Sequence, residues 1–364
     1  MIVRSLALTD FRNYESCYVE LGRNLNIFIG DNAQGKTNLL ESIFLVSTTR
    51  SHRRSEDTDM IREGCEAARA TLKMEENDVV SELSVMISKE GKTLLIQKQP
   101  VRRSSEFIGK LNAILFSPGD FELLEGSPRV RRRFMDMEIG KVKPSYLQNL
   151  NAYQKILKER NAVLKEDRID AQYLDVLTEQ LADYSLKICE ERNAFFRAVN
   201  QNLPVCYEKI SGESLPLKAV SSSFVKEDDD FSSLMEKYQK NRERDIFLKQ
   251  TTAGIHRDDY AFFMKDREIS AYASQGQKRM TILSLKTALL EYVRENTGKD
   301  AVLLLDDVLS ELDGERQKNL MRMLPEGTQT IITTTDISDI QMNLPEKTRI
   351  FEIKEGRVTS AREV

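Results

Sequence analysis

The chain has 364 residues, 40% of them hydrophobic, enough for one large core or two modest ones and too many for a single small module. No apolar run approaches the roughly 18 residues needed to cross a bilayer, and the N-terminus MIVRSLALTDF alternates like a strand rather than reading as a leader, so a soluble, cytoplasmic protein is expected. A net charge of −4 excludes a global attraction to polyanions, and four dispersed cysteines (Cys17, Cys65, Cys189, Cys206) with only two histidines argue against a disulfide framework or a Cys/His metal site.

In chain order, IVRSLAL (2–8), SCYVELG (16–22) and LNIFI (25–29) predict three short strands. A glycine-bearing loop follows, and then Leu39, Leu40, Ile43, Phe44 and Val46 recur at helical spacing, which predicts strand, loop, helix. Between 67 and 117, ARATLKM, SELSVMI, KTLLIQK and NAILFS, broken by charged turns such as KEGK, predict a meandering sheet. The period then changes. Apolar residues at 147, 150, 153, 157 and 164, and at 174, 177, 181, 184, 188, 195, 199 and 203, predict two amphipathic helices joined by EDRID as an antiparallel hairpin. At about 1.5 Å per residue the second is on the order of 45 Å long. The acidic stretch SSSFVKEDDDFSS (221–233) reads as an exposed loop. From about 250 the pattern is α/β again, with buried-type strands in DAVLLLDDV and TQTIITTT and helices at 275–296 and 314–324. The expected organisation is an α/β domain of residues 1–140 with 250–364 (lobe I) and an inserted helical arm of residues 141–249 (lobe II).

Charge is unevenly placed: residues 89–143 carry twelve Lys and Arg against seven Asp and Glu, a net of +5 that leaves −9 for the rest. Any DNA contact must therefore be local. The candidates are Arg53 and Arg54 in RSHRR, Arg102 and Arg103 in KQPVRR, and Arg129, Arg131, Arg132 and Arg133 in RVRRR. Ser127 and Pro128 can cap and start a helix that places Arg129, Arg132 and Arg133 roughly on one face. The competing reading is a solvated face, or arginines paired internally with Asp136 or Glu138.

Gly30-Asp31-Asn32-Ala33-Gln34-Gly35-Lys36-Thr37 satisfies G-x-x-x-x-G-K-[ST]. The glycines let the backbone wrap a phosphate, and N–H groups at the helix N-terminus face it. Lys36 would bridge the β- and γ-phosphates of ATP, and the Thr37 hydroxyl would ligate Mg²⁺. VLLLDD supplies the acid such a loop needs: Asp306 at the C-terminal end of a buried strand as the Mg²⁺ partner, and Asp307 to polarise the attacking water. The bland alternative for the paired acids is a helix N-terminal turn.

Two further stretches narrow the class. Ser274, Gln275, Gly276 and Gln277 resemble the signature motif of ABC-type ATPases, and VLLLDDVLSELD (302–313) resembles their Walker B and D-loop read without a gap. The resemblance implies an ABC-type P-loop ATPase head with mixed sheets and an inserted helical hairpin, in which two chains pair head to tail. Ser274, Gly276 and Gln277 of one copy would then close on the γ-phosphate held by the other. Within that class, LALTDFRNYES, GDNAQGKTNLLESI, LFSPGDFELLEGSPRVRRRFMD (115–136) and GIHRDDY (254–260) are similar to the RecF family of the chromosome-maintenance and repair branch. That family implies an ATP-dependent dimer that grips DNA at gaps and single/double-strand junctions, with RecR and RecO as partners in loading recombinase. Where transporter cassettes carry a catalytic glutamate this chain has Asp307, one methylene shorter, and where they carry a histidine after the next strand it offers Thr335. The expectation is a weak, DNA-stimulated ATPase in which Lys36, Asp307 and Ser274 carry the catalysis. No Q-loop glutamine is identifiable; Ser117 in LFSPGD lies in the corresponding region.

The alternative from another class is the ATPase subunit of a membrane transporter. About 235 residues between Thr37 and Ser274 and the helical hairpin within them argue against it.

Overall fold

The first third of the chain builds one antiparallel sheet, a central helix and two strands of a second sheet. In order it forms β1 (Ile2–Phe11), β2 (Tyr14–Glu20), β3 (Leu25–Ile29), α1 (Lys36–Thr48), β4 (Ala67–Glu76), β5 (Val79–Ser88), β6 (Gly91–Ile96), β7 (Gln99–Pro100), α2 (Ser104–Phe107) and β8 (Ala113–Phe116) in the computed structural model. That structure describes all residues except 54, 310, 311, 313, 324–326 and 339–343, so Arg54 and, in the expected D-loop VLSELD (308–313), Ser310, Glu311 and Asp313 lie outside the described residues.

The middle third forms α3 (Glu122–Glu125), α4 (Pro128–Val142), α5 (Pro144–Val163), α6 (Ala171–Ser211), β9 (Leu217–Ser222), α7 (Phe231–Leu248), β10 (Asp259–Met264), β11 (Arg267–Glu268) and α8 (Ile269–Tyr272). The last third forms α9 (Gln275–Thr297), β12 (Val302–Asp306), α10 (Gly314–Met323), β13 (Thr330–Thr334), β14 (Arg349–Lys354) and β15 (Arg357–Glu363).

By its contacts the chain divides into two units: Met1–Phe121 with Leu203–Leu215 and Gln275–Val364, and Glu122–Asn202 with Pro216–Ser274. The expected boundaries at 140/141 and 249/250 therefore shift. Residues 122–140 and 250–274 belong with the helices because α4 packs on α5 and β10, and β10 pairs with β9.

The first unit holds an antiparallel sheet in the order β2-β1-β4-β5-β6-β7 and a mixed sheet in the order β15-β14-β3-β13-β12-β8. NAILFS was expected to continue the meander, but β8 instead pairs in parallel with β12. All four residues of β8 are buried, and a strand covered on both faces cannot stay in a half-solvated antiparallel sheet. Helix α1 lies between the sheets, against β4 and β5 of one and β8, β12 and β13 of the other. Eleven of its 13 residues are buried.

The second unit is helical with a three-stranded sheet in the order β11-β10-β9. The hairpin of α5 and α6 is antiparallel: Arg192 on α6 donates to the Tyr146 hydroxyl near the start of α5 (3.1 Å), and Arg160 near the end of α5 donates to Thr178 on α6 (3.0 Å). Helix α6 runs for 41 residues, its residues from Leu203 onward grouping with the first unit, and includes Pro204. The apolar stripe continues past it at the buried Cys206, Tyr207 and Ile210, so packing holds the helix where the imino acid weakens it. The stretch 221–233 is not one loop. Ser221 and Ser222 pair in β9, and Asp230 caps α7 by accepting from the Ser233 N–H at 2.8 Å.

Polar groups hold this unit together internally. Arg160, 1% exposed at its side chain, donates to Asp245 (2.8 Å) and Thr251 (2.7 Å), tying α5 to α7. Arg192 donates to Asp136 (2.9 Å), Asp258 (3.0 Å) and the Ile255 carbonyl (3.1 Å). GIHRDDY is thus a structural segment: Asp258 also accepts from Ser223 and the Phe224 N–H, and the Tyr260 hydroxyl donates to the Arg131 carbonyl.

Candidate functional site

Strand β3 delivers the chain to Gly30 at the C-terminal edge of the mixed sheet, and α1 begins at Lys36. The five residues between must reverse direction. Ala33 and Gly35 do so with positive φ (64° and 112°). A side chain at Gly35 would also meet the Asn13 amide at 2.7 Å and the Tyr14 hydroxyl at 2.9 Å. The loop is braced on two sides. From the β1–β2 turn, Tyr14 donates to the Gly35 carbonyl and Asn13 to the Gln34 carbonyl, both at 3.1 Å. From the β14–β15 turn, the Gly356 N–H donates to the Gln34 carbonyl (3.0 Å) and the Glu355 N–H to the Gln34 side chain (2.7 Å). Gln34 therefore serves to hold the loop's shape, while Asp31, Asn32 and Ala33 form its exposed arch.

Lys36 is 7% exposed and donates to the carbonyls of Gly30 (2.6 Å) and Asp31 (2.7 Å). Of its three protons one remains for a phosphate oxygen. Burial lowers its pKa from the usual lysine value, opposed by the charges of Asp307, Asp306 and Asp31.

Asp306 ends β12, flanked in the sheet by β13 and β8. Its Oδ1 accepts from Thr37 and from Thr333, each at 2.8 Å. Thr333 also accepts from the Asp307 N–H at 2.9 Å, where φ is 54°. One threonine thus orients the first acid and fixes the left-handed backbone of the second.

The oxygens of Thr37 and Asp306 fit Mg²⁺. They are hard donors 2.8 Å apart, and an octahedral ion bound at about 2.0–2.1 Å places neighbouring oxygens about 2.8–3.0 Å apart. The cleft above them has a volume of about 310 Å³ and is lined by residues 32–38 of the loop and helix start together with Arg53, Asp307 and Thr333.

Arg53 and Thr333 were not assigned to this site from sequence. Arg53 is a DNA-contact candidate by sequence yet lines the cleft; Thr335, at the position where transporter cassettes carry a histidine, is exposed and is not among the lining residues. The visible signal for Thr333 was its place at the C-terminal end of a buried strand beside VLLLDD. Ser117 follows β8 at the same sheet edge and is buried, its N–H held by Asp120 at 2.7 Å. Ser274, Gly276 and Gln277 sit at the start of α9 and are not among the residues lining the cleft.

The basic clusters divide. Arg131 makes a two-pronged pair with Asp259, 2.7 Å to each oxygen, and donates to the Gly126 carbonyl (2.6 Å). Arg132 donates to the Asp258 carbonyl at 2.5 Å. Both are therefore held inside the helical unit, Arg131 by the Asp259 carboxylate and Arg132 by a backbone carbonyl. Arg129 and Arg133 are exposed on α4, as are Arg102 and Arg103 beside β7.

Residues 2–358 match the sequence model of the RecF/RecN/SMC N-terminal domain. The chain is 40% identical over 370 residues to the DNA replication and repair protein RecF of Geobacillus kaustophilus, covering 99% of this chain and 100% of that protein. It is 38% identical over 372 residues to the protein of the same name from Oenococcus oeni, again covering 99% and 100%. Among solved structures it superposes on the recombination mediator protein RecF with ATP, in the RecFOR pathway, with a TM-score of 0.90 at 29% identity, covering 100% of this chain and 97% of that one. An Smc head domain from Pyrococcus furiosus shares the fold, with a TM-score of 0.58 at 16% identity over 99% of this chain and 96% of that chain. Among the described residues no helix is long and apolar enough to cross a membrane.

Proposed function

The chain belongs to the RecF family, within the wider group of RecF, RecN and SMC N-terminal domains, and from that membership we propose that it is an ATP-dependent DNA-binding protein of replication and recombinational repair. The observation that carries the nucleotide half of this reading is the joining of Thr37 to Asp306 across 269 residues of sequence by one 2.8 Å hydrogen bond, beside a buried lysine. A chain without a phosphate-and-metal site has no need of that arrangement. The transporter alternative finds no support, since the matched relatives are replication and repair proteins along their whole length.

In this reading residues 30–37 cradle the triphosphate, Lys36 and Arg53 neutralise it, and Thr37 and Asp306 hold Mg²⁺. The ion, when bound, screens the phosphate charge and polarises the terminal phosphoryl group. Asp307 orients the attacking water; a side chain one methylene shorter than glutamate supports slow turnover. Ser274, Gly276 and Gln277 act on the nucleotide of a second copy, so ATP joins two chains, and the closed dimer grips DNA with its exposed arginines. RecO and RecR are the partners that family membership supports, with gaps and single/double-strand junctions as the DNA.

Molecular mass in solution tests the switch. Mass should double with ATP and Mg²⁺, stay monomeric for Ser274→Arg, and gapped DNA should bind the wild type only in the doubled state. A mass insensitive to ATP refutes the dimer reading.

A further inference from the structure

Glu41 is a carboxylate with no exposure at all, on the helix that starts at the phosphate loop. Its neighbours are arranged in a definite order. Arg12, from the β1–β2 turn, donates to both of its oxygens (2.7 and 3.0 Å). Ser51 donates to Oε1 at 2.5 Å, and the same Ser51 hydroxyl accepts from the Arg53 N–H at 3.0 Å. The Arg53 guanidinium stands farther off, 3.8 Å from Oε2, while also lining the cleft. Burial raises the Glu41 pKa, but the hydrogen bonds from Arg12 and Ser51 and the charges of Arg12 and Arg53 outweigh it, leaving the carboxyl below the usual glutamate value.

Two cations share one buried anion, so the cluster carries a net positive charge on the cleft side. Arg12 is the firm partner. Its remaining donors reach the Asp59 carbonyl (2.6 Å) and Ser55 (3.0 Å), which pins the connection from α1 to β4. Arg53 is the loose partner, and it can turn toward an anion in the cleft without leaving Glu41 as an unpaired buried charge. The β1–β2 turn that supplies Arg12 also supplies Asn13 and Tyr14 to the phosphate loop.

We propose that Glu41 is a positioning residue of the cleft: neutralised by Arg12, it holds the Ser51–Arg53 turn through the Ser51 hydroxyl and so aims the Arg53 guanidinium at a bound nucleoside triphosphate. The inference rests on the nucleotide reading of the cleft. Glu41 touches no ligand itself, and its effect must therefore pass through Arg53.

The test is a mutant cycle on binding of a fluorescent ATP analogue with Mg²⁺, using Glu41→Gln, Ser51→Ala, Arg53→Ala and the two pairings with Arg53→Ala, with melting followed in parallel. Arg53→Ala should weaken binding by about 10-fold. Glu41→Gln and Ser51→Ala should each weaken it about 5-fold alone and less than 2-fold when Arg53 is already alanine, because neighbours acting through one group are not additive. Equal losses in both backgrounds, or unaltered binding by folded single variants, overturn the proposal. Ser51→Ala leaves the buried ion pair intact and carries the test if Glu41→Gln does not fold. A wild type that binds no ATP overturns the nucleotide reading and this inference with it, whereas a wild type that binds while the cycle is additive overturns the inference alone.

Discussion

Gly30→Ala separates what the loop's first glycine does for a ligand from what it does for the fold. A Cβ at residue 30 would stand 2.3 Å from the carbonyl oxygen of Ile353 on β14, a backbone atom with no side-chain freedom. Reaching an ordinary contact of 3.4 Å requires a displacement of roughly 1 Å, close to a strand that pairs in parallel with β3 from Arg349 to Glu352. That shift weakens one or two ladder hydrogen bonds at about 1 kcal/mol each and adds overpacking of about 1–3 kcal/mol, for a total of about 2–5 kcal/mol. For a unit of this size, at about 2–4 °C per kcal/mol, the melting transition should fall by roughly 4–20 °C. Calorimetry without nucleotide gives the first measure, and amide exchange of residues 349–354 should quicken. A variant that melts and exchanges like the wild type while losing ATP would refute this reasoning and leave the glycine a purely ligand-facing role.

Two other outcomes follow from the helical unit. The Nε2–H of His256 donates to the Thr251 carbonyl (3.2 Å) and its Nδ1 accepts from the Tyr153 hydroxyl (2.8 Å), so the ring is held neutral, and burial drops its pKa to about 4. The unfolded chain takes up the proton first, near pH 6.5, so this contribution is complete above about pH 6.5 and is lost as pH falls toward 4. At pH 5 the loss is at most about 2 kcal/mol, and urea titrations of the wild type and His256→Gln at pH 7 and pH 5 should show a smaller pH dependence in the variant. Arg131→Ala should destabilise the protein by about 2 kcal/mol by leaving Asp259 without its two-pronged partner, whereas Arg102→Ala should stay within about 0.5 kcal/mol of wild type. In DNA binding the order reverses: Arg102→Ala should reduce the salt dependence by about one counterion, read from binding isotherms between low and moderate salt.

What the sequence alone determined was whatever depends on a few neighbouring residues. Gly30 to Thr37 carry their own turn chemistry, four apolar residues before Asp306 announce a buried strand ending in an acid, and the stripe from 174 to 203 announces a long helix. Only the tertiary structure decided assignments that rest on meetings across hundreds of residues. An arginine reads alike whether it faces solvent, as Arg102 does, or clasps Asp259, as Arg131 does. Strand β8 reads as one more hairpin arm until its burial on both faces places it beside β12. Helix α7 is charged enough to be overlooked, and its place depends on Asp245 meeting Arg160. Thr333 joins the cleft, and Gly30 is required by Ile353, because the sheet brings β3, β12, β13 and β14 to a common edge, while Arg53 joins it from the turn after α1 that Glu41 holds through Ser51. Local propensity acts within a turn of chain, whereas packing and charge pairing act through space, and the second kind of information exists only once the chain has folded.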